Sequence, residues 1–202
     1  SLRAAGHRVG VYKPAASGCR DVEGELVSDD ALLLWEAAGR PGRLERVCPQ
    51  RFRAPLAPHL AARAEGRRLD GQLLRTGIDY WQSRSDVLLV EGAGGLMSPL
   101  GEEEYVADLA YDLGFSLVVV ARNALGTINH TLQTLIAAAS FQEGLPIAGI
   151  VLNFAAPPAS DASTATNRRE IAARSVPPIL AEVAWQGERF DAEVDWLQLA
   201  GT

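Results

Sequence analysis

Cysteine, histidine and long apolar runs are all scarce in this chain, and each shortage removes a class of function. Cys19 and Cys48 form no CxxC pair, and His7, His59 and His130 lie far apart, so neither a disulfide framework nor a structural zinc site is expected. No histidine stands beside either thiol in sequence to activate it, and both are read as small buried or loop side chains. The longest apolar stretches, 116–121 and 147–152, fall far short of the roughly 20 residues that span a bilayer. No apolar leader opens the chain, so the cytoplasm is the expected compartment and no membrane the expected partner. Basic residues are outnumbered, 19 against 25 acidic for a formal charge of -6, and no Lys/Arg run tracks a phosphate backbone. Nucleic acid is therefore not the expected partner, although a local site can still hold a small anion. A GxxxxGK[ST] phosphate loop is also missing from the 202 residues.

What is present is an α/β pattern. With 48% hydrophobic residues over 202 positions, one sizeable core is expected, hence a single domain over 1–202. Short apolar runs at 9–12, 86–91, 117–121, 147–152 and 179–183 read as buried strands, and 86–91 as a central parallel strand covered on both faces. Residues 47–52 read as a further strand. Helical spacing recurs at 31–38, 60–65, 105–113 and 129–141, where Leu132, Leu135, Ile136 and Ala139 are expected to face inward. Leu73, Leu74, Ile78 and Trp81 suggest one helix capped by Asp70, and further helices are expected at 166–173 and from Asp191. The order strand, helix, strand, helix, strand over 86–152 implies three strands of one doubly wound, mostly parallel sheet. Residues 1–6 read as the last turn of a helix that feeds the first strand, which implies further chain upstream. Residues 157–160 read as the clearest flexible patch.

In such sheets ligands bind at the carboxyl ends of the strands, and four exits here are polar: Lys13, Glu91, Arg122 with Asn123, and Asn153. Glu91 is followed by Gly92, Gly94 and Gly95. A carboxylate at a strand end can hold a hard cation, while the glycines let backbone amides approach an anion; the alternative is a tight turn with a capping glutamate. Lys13 offers a point charge to a developing oxyanion, or is simply solvated. Asp29 and Asp30 read first as a helix cap pair, and either can serve a metal. The segment Gly126-Thr127-Ile128-Asn129-His130 presents helix-terminal amides to a carboxylate or phosphate, or is an ordinary cap.

The segments Val11-Tyr12-Lys13-Pro14-Ala15-Ala16-Ser17-Gly18, Ser28-Asp29-Asp30-Ala31, Pro55-Leu56-Ala57-Pro58-His59, Val90-Glu91-Gly92-Ala93-Gly94-Gly95, Leu125-Gly126-Thr127-Ile128-Asn129-His130 and Gly149-Ile150-Val151-Leu152-Asn153 together resemble the dethiobiotin synthetase family, in order and spacing over nearly the whole chain. The resemblance implies a P-loop NTPase-like three-layer α/β fold with a mostly parallel sheet, whose first strand and GTDTxxGKT-type loop precede Ser1. It implies a homodimer that uses ATP, Mg2+ and CO2 to close the ureido ring of dethiobiotin on 7,8-diaminopelargonate, through a carbamate and a carbamic-phosphoric anhydride. Carried over by motif, Lys13 looks like the catalytic lysine, Ser17, Gly94 and Gly95 like substrate contacts, Asp30 and Glu91 like magnesium ligands, and Asn153 like the adenine reader. Many relatives have proline where this chain has Ala184, and their adenine-pocket carboxylate a little further on corresponds here to Glu188 or Asp191. A related MgATP-dependent amide synthetase or ATPase, and a non-catalytic truncated homologue, remain as alternatives.

Overall fold

A computed structural model of the chain describes residues 2–157 and 160–201. Its contacts divide into two compact units, Ser1–Leu113 and Gly114–Thr202. The first runs β1 (Val9–Tyr12), β2 (Ala15–Ala16), β3 (Arg20–Val22), β4 (Glu25–Val27), α1 (Asp29–Ala37), α2 (Leu44–Val47), β5 (Gln50–Arg51), α3 (Pro58–Ala64), α4 (Gly71–Thr76), α5 (Asp79–Gln82), β6 (Val87–Val90) and α6 (Val106–Leu113). The second runs β7 (Leu117–Arg122), α7 (Thr127–Ser140), β8 (Ile147–Asn153), α8 (Thr164–Ala172), β9 (Ile179–Val183) and α9 (Trp196–Ala200). Among the described residues no helix is long and apolar enough to cross a membrane.

The expected α/β class with mostly parallel strands holds. In the first unit β1 pairs in parallel with β6, Val9 opposite Val87 and Tyr12 opposite Val90, and β2 pairs in parallel with β5. In the second, β7, β8 and β9 form one parallel sheet in that order. Within the first unit β6 takes β1, not a strand next to it in sequence, as its partner, and within the second the consecutive strands β7 and β8 are neighbours as expected. Connection by a helix shows only that two strands run the same way; it does not show that they are adjacent.

The core of the first unit is built around Val11, Tyr12, Val47, Ile78 and Trp81. Tyr12 is fully buried, and its hydroxyl donates to Leu73 O at 2.8 Å. A Cβ at Gly77 would collide with that hydroxyl, and here the helix expected across Leu73 to Trp81 divides into α4 and α5. Asp70 caps α4 as expected, its carboxylate accepting from Leu73 N. Of the strand expected over 47–52 only Gln50 and Arg51 pair, as β5, while Val47 ends α2. The helix expected from Asp191 begins only at Trp196, capped by Asp195. Residues 2–6 do form a turn closed at Gly6, whereas Pro158 and Ala159 of the expected flexible patch lie outside the described residues.

Two burial expectations are corrected. Leu89 on β6 is 48% exposed, so the strand is not covered on both faces. On α7 the inward stripe is Thr127, Thr131, Leu135 and Ala138, while Ile136 and Ala139 face outward. The threonine hydroxyls lie 3.5 Å apart and share a hydrogen bond, which is how two polar side chains occupy a buried face and why a search for apolar spacing alone mis-sets the stripe.

Asp86, at the start of β6, receives the Arg8 backbone N–H at 2.8 Å and the Arg8 guanidinium at 2.5 and 3.0 Å. These bonds hold its pKa down at about 2. A depressed carboxylate stabilises the fold above its unfolded pKa and loses that contribution as pH falls through the folded value. Asp86→Asn is therefore expected to flatten the dependence of stability on pH between about 4 and 2, read from urea midpoints in acid.

Candidate active site

β1 and β6 end side by side, and the residues that leave them meet. Glu91 N donates to Tyr12 O at 2.9 Å, carrying the ladder one step beyond the strands, and Lys13 N donates to Val47 O at 2.8 Å. The backbone at both exits is thus pinned before the side chains act. Lys13, the single lysine of the 202 residues, is 4% exposed. Its ammonium donates to Glu91 Oε1 at 2.8 Å and Gly92 O at 3.2 Å, and lies 3.3 Å from Asp30 Oδ2. Burial alone would lower the Lys13 pKa, but the hydrogen bond and charge of Glu91, joined by those of Asp30, outweigh it and the pKa is raised. The amine is therefore fully protonated at neutral pH.

Asp30 reaches this cluster from the first turn of α1, whose start is set by Ser28 Oγ accepting from Ala31 N. Residue type alone leaves open which of the two aspartates serves a site, the family motif points to Asp30, and the structure separates them. Arg20 forks onto Asp29, with Nε at 3.0 Å and Nη2 at 2.5 Å from Oδ1, leaving Asp30 to Lys13. The hairpin of β3 and β4 that carries Arg20 has no apolar periodicity, which is why sequence reasoning missed this residue.

Gly92 and Gly94 are required for different reasons. A Cβ on Gly92 would come within 2.8 Å of Val106 Cγ1 on α6, and Gly94 has φ +84°, a left-handed conformation that L side chains avoid. Gly95 O accepts from Ser98 N at 2.9 Å, closing the turn. Ser17 follows β2, is partly exposed, and makes no side-chain hydrogen bond among the described residues. Lys13, Asp30, Glu91 and Gly92 are thus brought together, with Gly94 and Gly95 in the turn after Glu91.

In the second unit Asn153 ends β8, and its carbonyl accepts from Asn123 N at 2.8 Å. Asn123 and Asn167 are both buried, and Asn167 Nδ2 donates to Asn123 Oδ1 at 2.8 Å. Asn167 escaped the sequence reading, although it lies four residues before the buried Ile171 on the inward face of α8. A cleft of about 490 Å3 is lined by Arg122, Thr127, His130, Thr131 and Asp161. Gly126, at φ +94°, turns the chain into α7 without a side-chain cap, and Leu125 N donates to Asp161 Oδ2 at 2.6 Å. Glu188 is exposed in the loop after β9. The Asp191 carboxylate is already engaged, accepting from Glu182 N at 2.6 Å and from Arg168 Nη1 at 3.0 Å.

The Lys13 cluster tests whether a hard cation fits. Two carboxylates from different elements converge on one positive charge, and both keep solvent-facing surface, with 62% of the Asp30 side chain and 46% of the Glu91 side chain exposed. Oxygen donors with open coordination suit magnesium, which keeps waters and takes one or two protein carboxylates.

Comparison with known proteins decides the family. A family model described as an AAA domain matches residues 2–189. The ATP-dependent dethiobiotin synthetase BioD of Rhodopirellula baltica is 42% identical over 193 residues, covering 90% of this chain and 74% of that protein. The chain belongs to the dethiobiotin synthetase family. The synthetase of Anaeromyxobacter dehalogenans is 46% identical over 186 residues, 92% of this chain and 80% of its own length. That of Bacillus licheniformis is 42% identical over 151 residues, 72% of this chain and 60% of its own.

Proposed function

We propose that this synthetase-family chain forms dethiobiotin from 7,8-diaminopelargonate, CO2 and ATP as one catalytic domain in the cytoplasm, working as a homodimer. The observation that carries the reading is the buried Lys13 ammonium held between Asp30 and Glu91 at the carboxyl ends of two parallel strands. Lys13 neutralises the carbamate that forms when one substrate amine takes up CO2, and it stays beside the same oxygens as negative charge develops in phosphoryl transfer. Its hydrogen bond to Gly92 O fixes the direction from which it does so. Asp30 and Glu91 would hold Mg2+, which when bound neutralises charge across the ATP phosphates. Attack by the second amine on the anhydride closes the ring and releases phosphate, and no covalent enzyme intermediate is needed. Ser17, Gly94 and Gly95 line the substrate side, and Gly94 supplies a turn that a bulkier residue would distort. Asn153 is assigned to the adenine ring through its paired donor and acceptor, with Glu188 or Asp191 nearby in the adenine pocket. Asp191 is the weaker of the two, because Arg168 and the Glu182 amide already hold it. Exposed Leu125 in the loop before α7 and Ile136 on α7, at 83% and 67%, offer apolar surface that a second subunit would cover.

The test is incorporation of labelled bicarbonate into dethiobiotin with MgATP and 7,8-diaminopelargonate. Product is expected from the wild type, and Glu91→Gln is expected to lower turnover about a hundredfold while raising the Mg2+ concentration needed for half-maximal rate. Label in a different product would transfer the chain to another MgATP-dependent reaction. Undiminished turnover in Glu91→Gln would remove this carboxylate from the mechanism.

A further inference from the structure

Lys13 is bound more completely than a lysine waiting for substrate needs to be. Among the described residues its three polar contacts are internal, to Glu91 Oε1, Gly92 O and Asp30 Oδ2. Two of the three are the carboxylates assigned to the metal. A dication accepted by Glu91 Oε1 would stand at close range to the ammonium that lies 2.8 Å from the same oxygen, and the two like charges repel. The Gly92 carbonyl carries no formal charge and is not in that conflict.

We infer that Lys13 is the resident counter-cation of the Asp30–Glu91 pair, and that metal entry is an exchange in which the dication takes the carboxylates while the ammonium keeps Gly92 O and turns towards substrate. The inference rests on the assignment of Asp30 and Glu91 as metal carboxylates and adds an order to the site's assembly. Lysine is withheld from the reaction until the metal is present, so the cation facing the oxyanion is delivered by the event that makes phosphoryl transfer possible. The exposure of both carboxylates gives the incoming ion a path, and the burial of Lys13 keeps its freed charge inside the site.

The exchange is measured without turnover. Mn2+ binding, followed by the loss of its free electron-spin-resonance signal in the absence of nucleotide, is expected to be tighter in Lys13→Met than in wild type by on the order of tenfold, because a competing positive charge has been removed. Lysine-selective 15N labelling supplies a second readout on unmodified protein, with the Lys13 signal assigned by its disappearance in Lys13→Arg. The ammonium resonance is expected to shift saturably with Mg2+ over the concentrations that saturate binding. Equal or weaker Mn2+ affinity in Lys13→Met, no metal binding in either protein, or a Lys13 resonance unmoved while metal binds would overturn the exchange. If Lys13→Met does not fold, the wild-type resonance decides alone. Wild-type dethiobiotin formation without exchange would remove only this inference, whereas exchange without dethiobiotin formation would remove only the functional reading.

Discussion

Lys13→Ala is expected to lower kcat for dethiobiotin formation by about 10²–10³-fold, with the KM for ATP changed by less than about threefold. The size follows from where the charge sits. An ammonium at 4% exposure acts through little intervening water, and the pinned backbone of Lys13 and Glu91 keeps it within the site. Such a preorganised charge acts most on the state in which charge develops, which is why kcat falls and ground-state nucleotide binding does not. Lys13→Arg is expected to recover little of the rate. A planar guanidinium cannot occupy the compact point shared by Glu91 Oε1, Gly92 O and Asp30 Oδ2. Single-turnover rates beside ATP titrations check both statements, and a Lys13→Ala protein with wild-type kcat would end the catalytic assignment.

Trp81→Ala is expected to cost about 3–5 kcal/mol of stability, measured as a shift in urea unfolding. Trp81 is 1% exposed and packs in the same core as Tyr12, Val47 and Ile78. Its ring meets Tyr80 edge to face at 4.9 Å, and Nε1 donates to Arg46 O at 3.4 Å. Truncation leaves a cavity beside the β1 strand that delivers Lys13, and partial collapse decides where in the range the value falls. The guanidiniums of Arg46 and Arg84 lie 5.3 and 4.4 Å from the Tyr80 ring centroid, so Tyr80 stays anchored and the collapse is limited. The activity of whatever fraction remains folded should change far less than in Lys13→Ala, which separates a packing residue from a chemical one.

The sequence by itself determined what local chemistry can encode. Buried strands announced themselves as short apolar runs, and Asp70 marked a helix start because its side-chain oxygen satisfies a free amide. Residues at strand ends stood out because polar groups and glycine are conspicuous after an apolar run, and so Lys13, Glu91 and Asn153 were legible before any fold was known. The family motifs added Asp30.

Tertiary structure decided everything that depends on residues distant in sequence. Only the register of β1 against β6 places Lys13 beside Glu91, 78 positions away. The tertiary structure pairs Asp29 with Arg20 and brings Asp30 to Lys13, 17 positions away. The break between α4 and α5 coincides with the Tyr12 hydroxyl crowding Gly77, and the buried threonine stripe of α7 depends on a mutual hydrogen bond that no hydrophobic count detects. The pairing of β6 with β1 was likewise invisible, because apolar periodicity reports that a strand is buried but not which strand lies beside it.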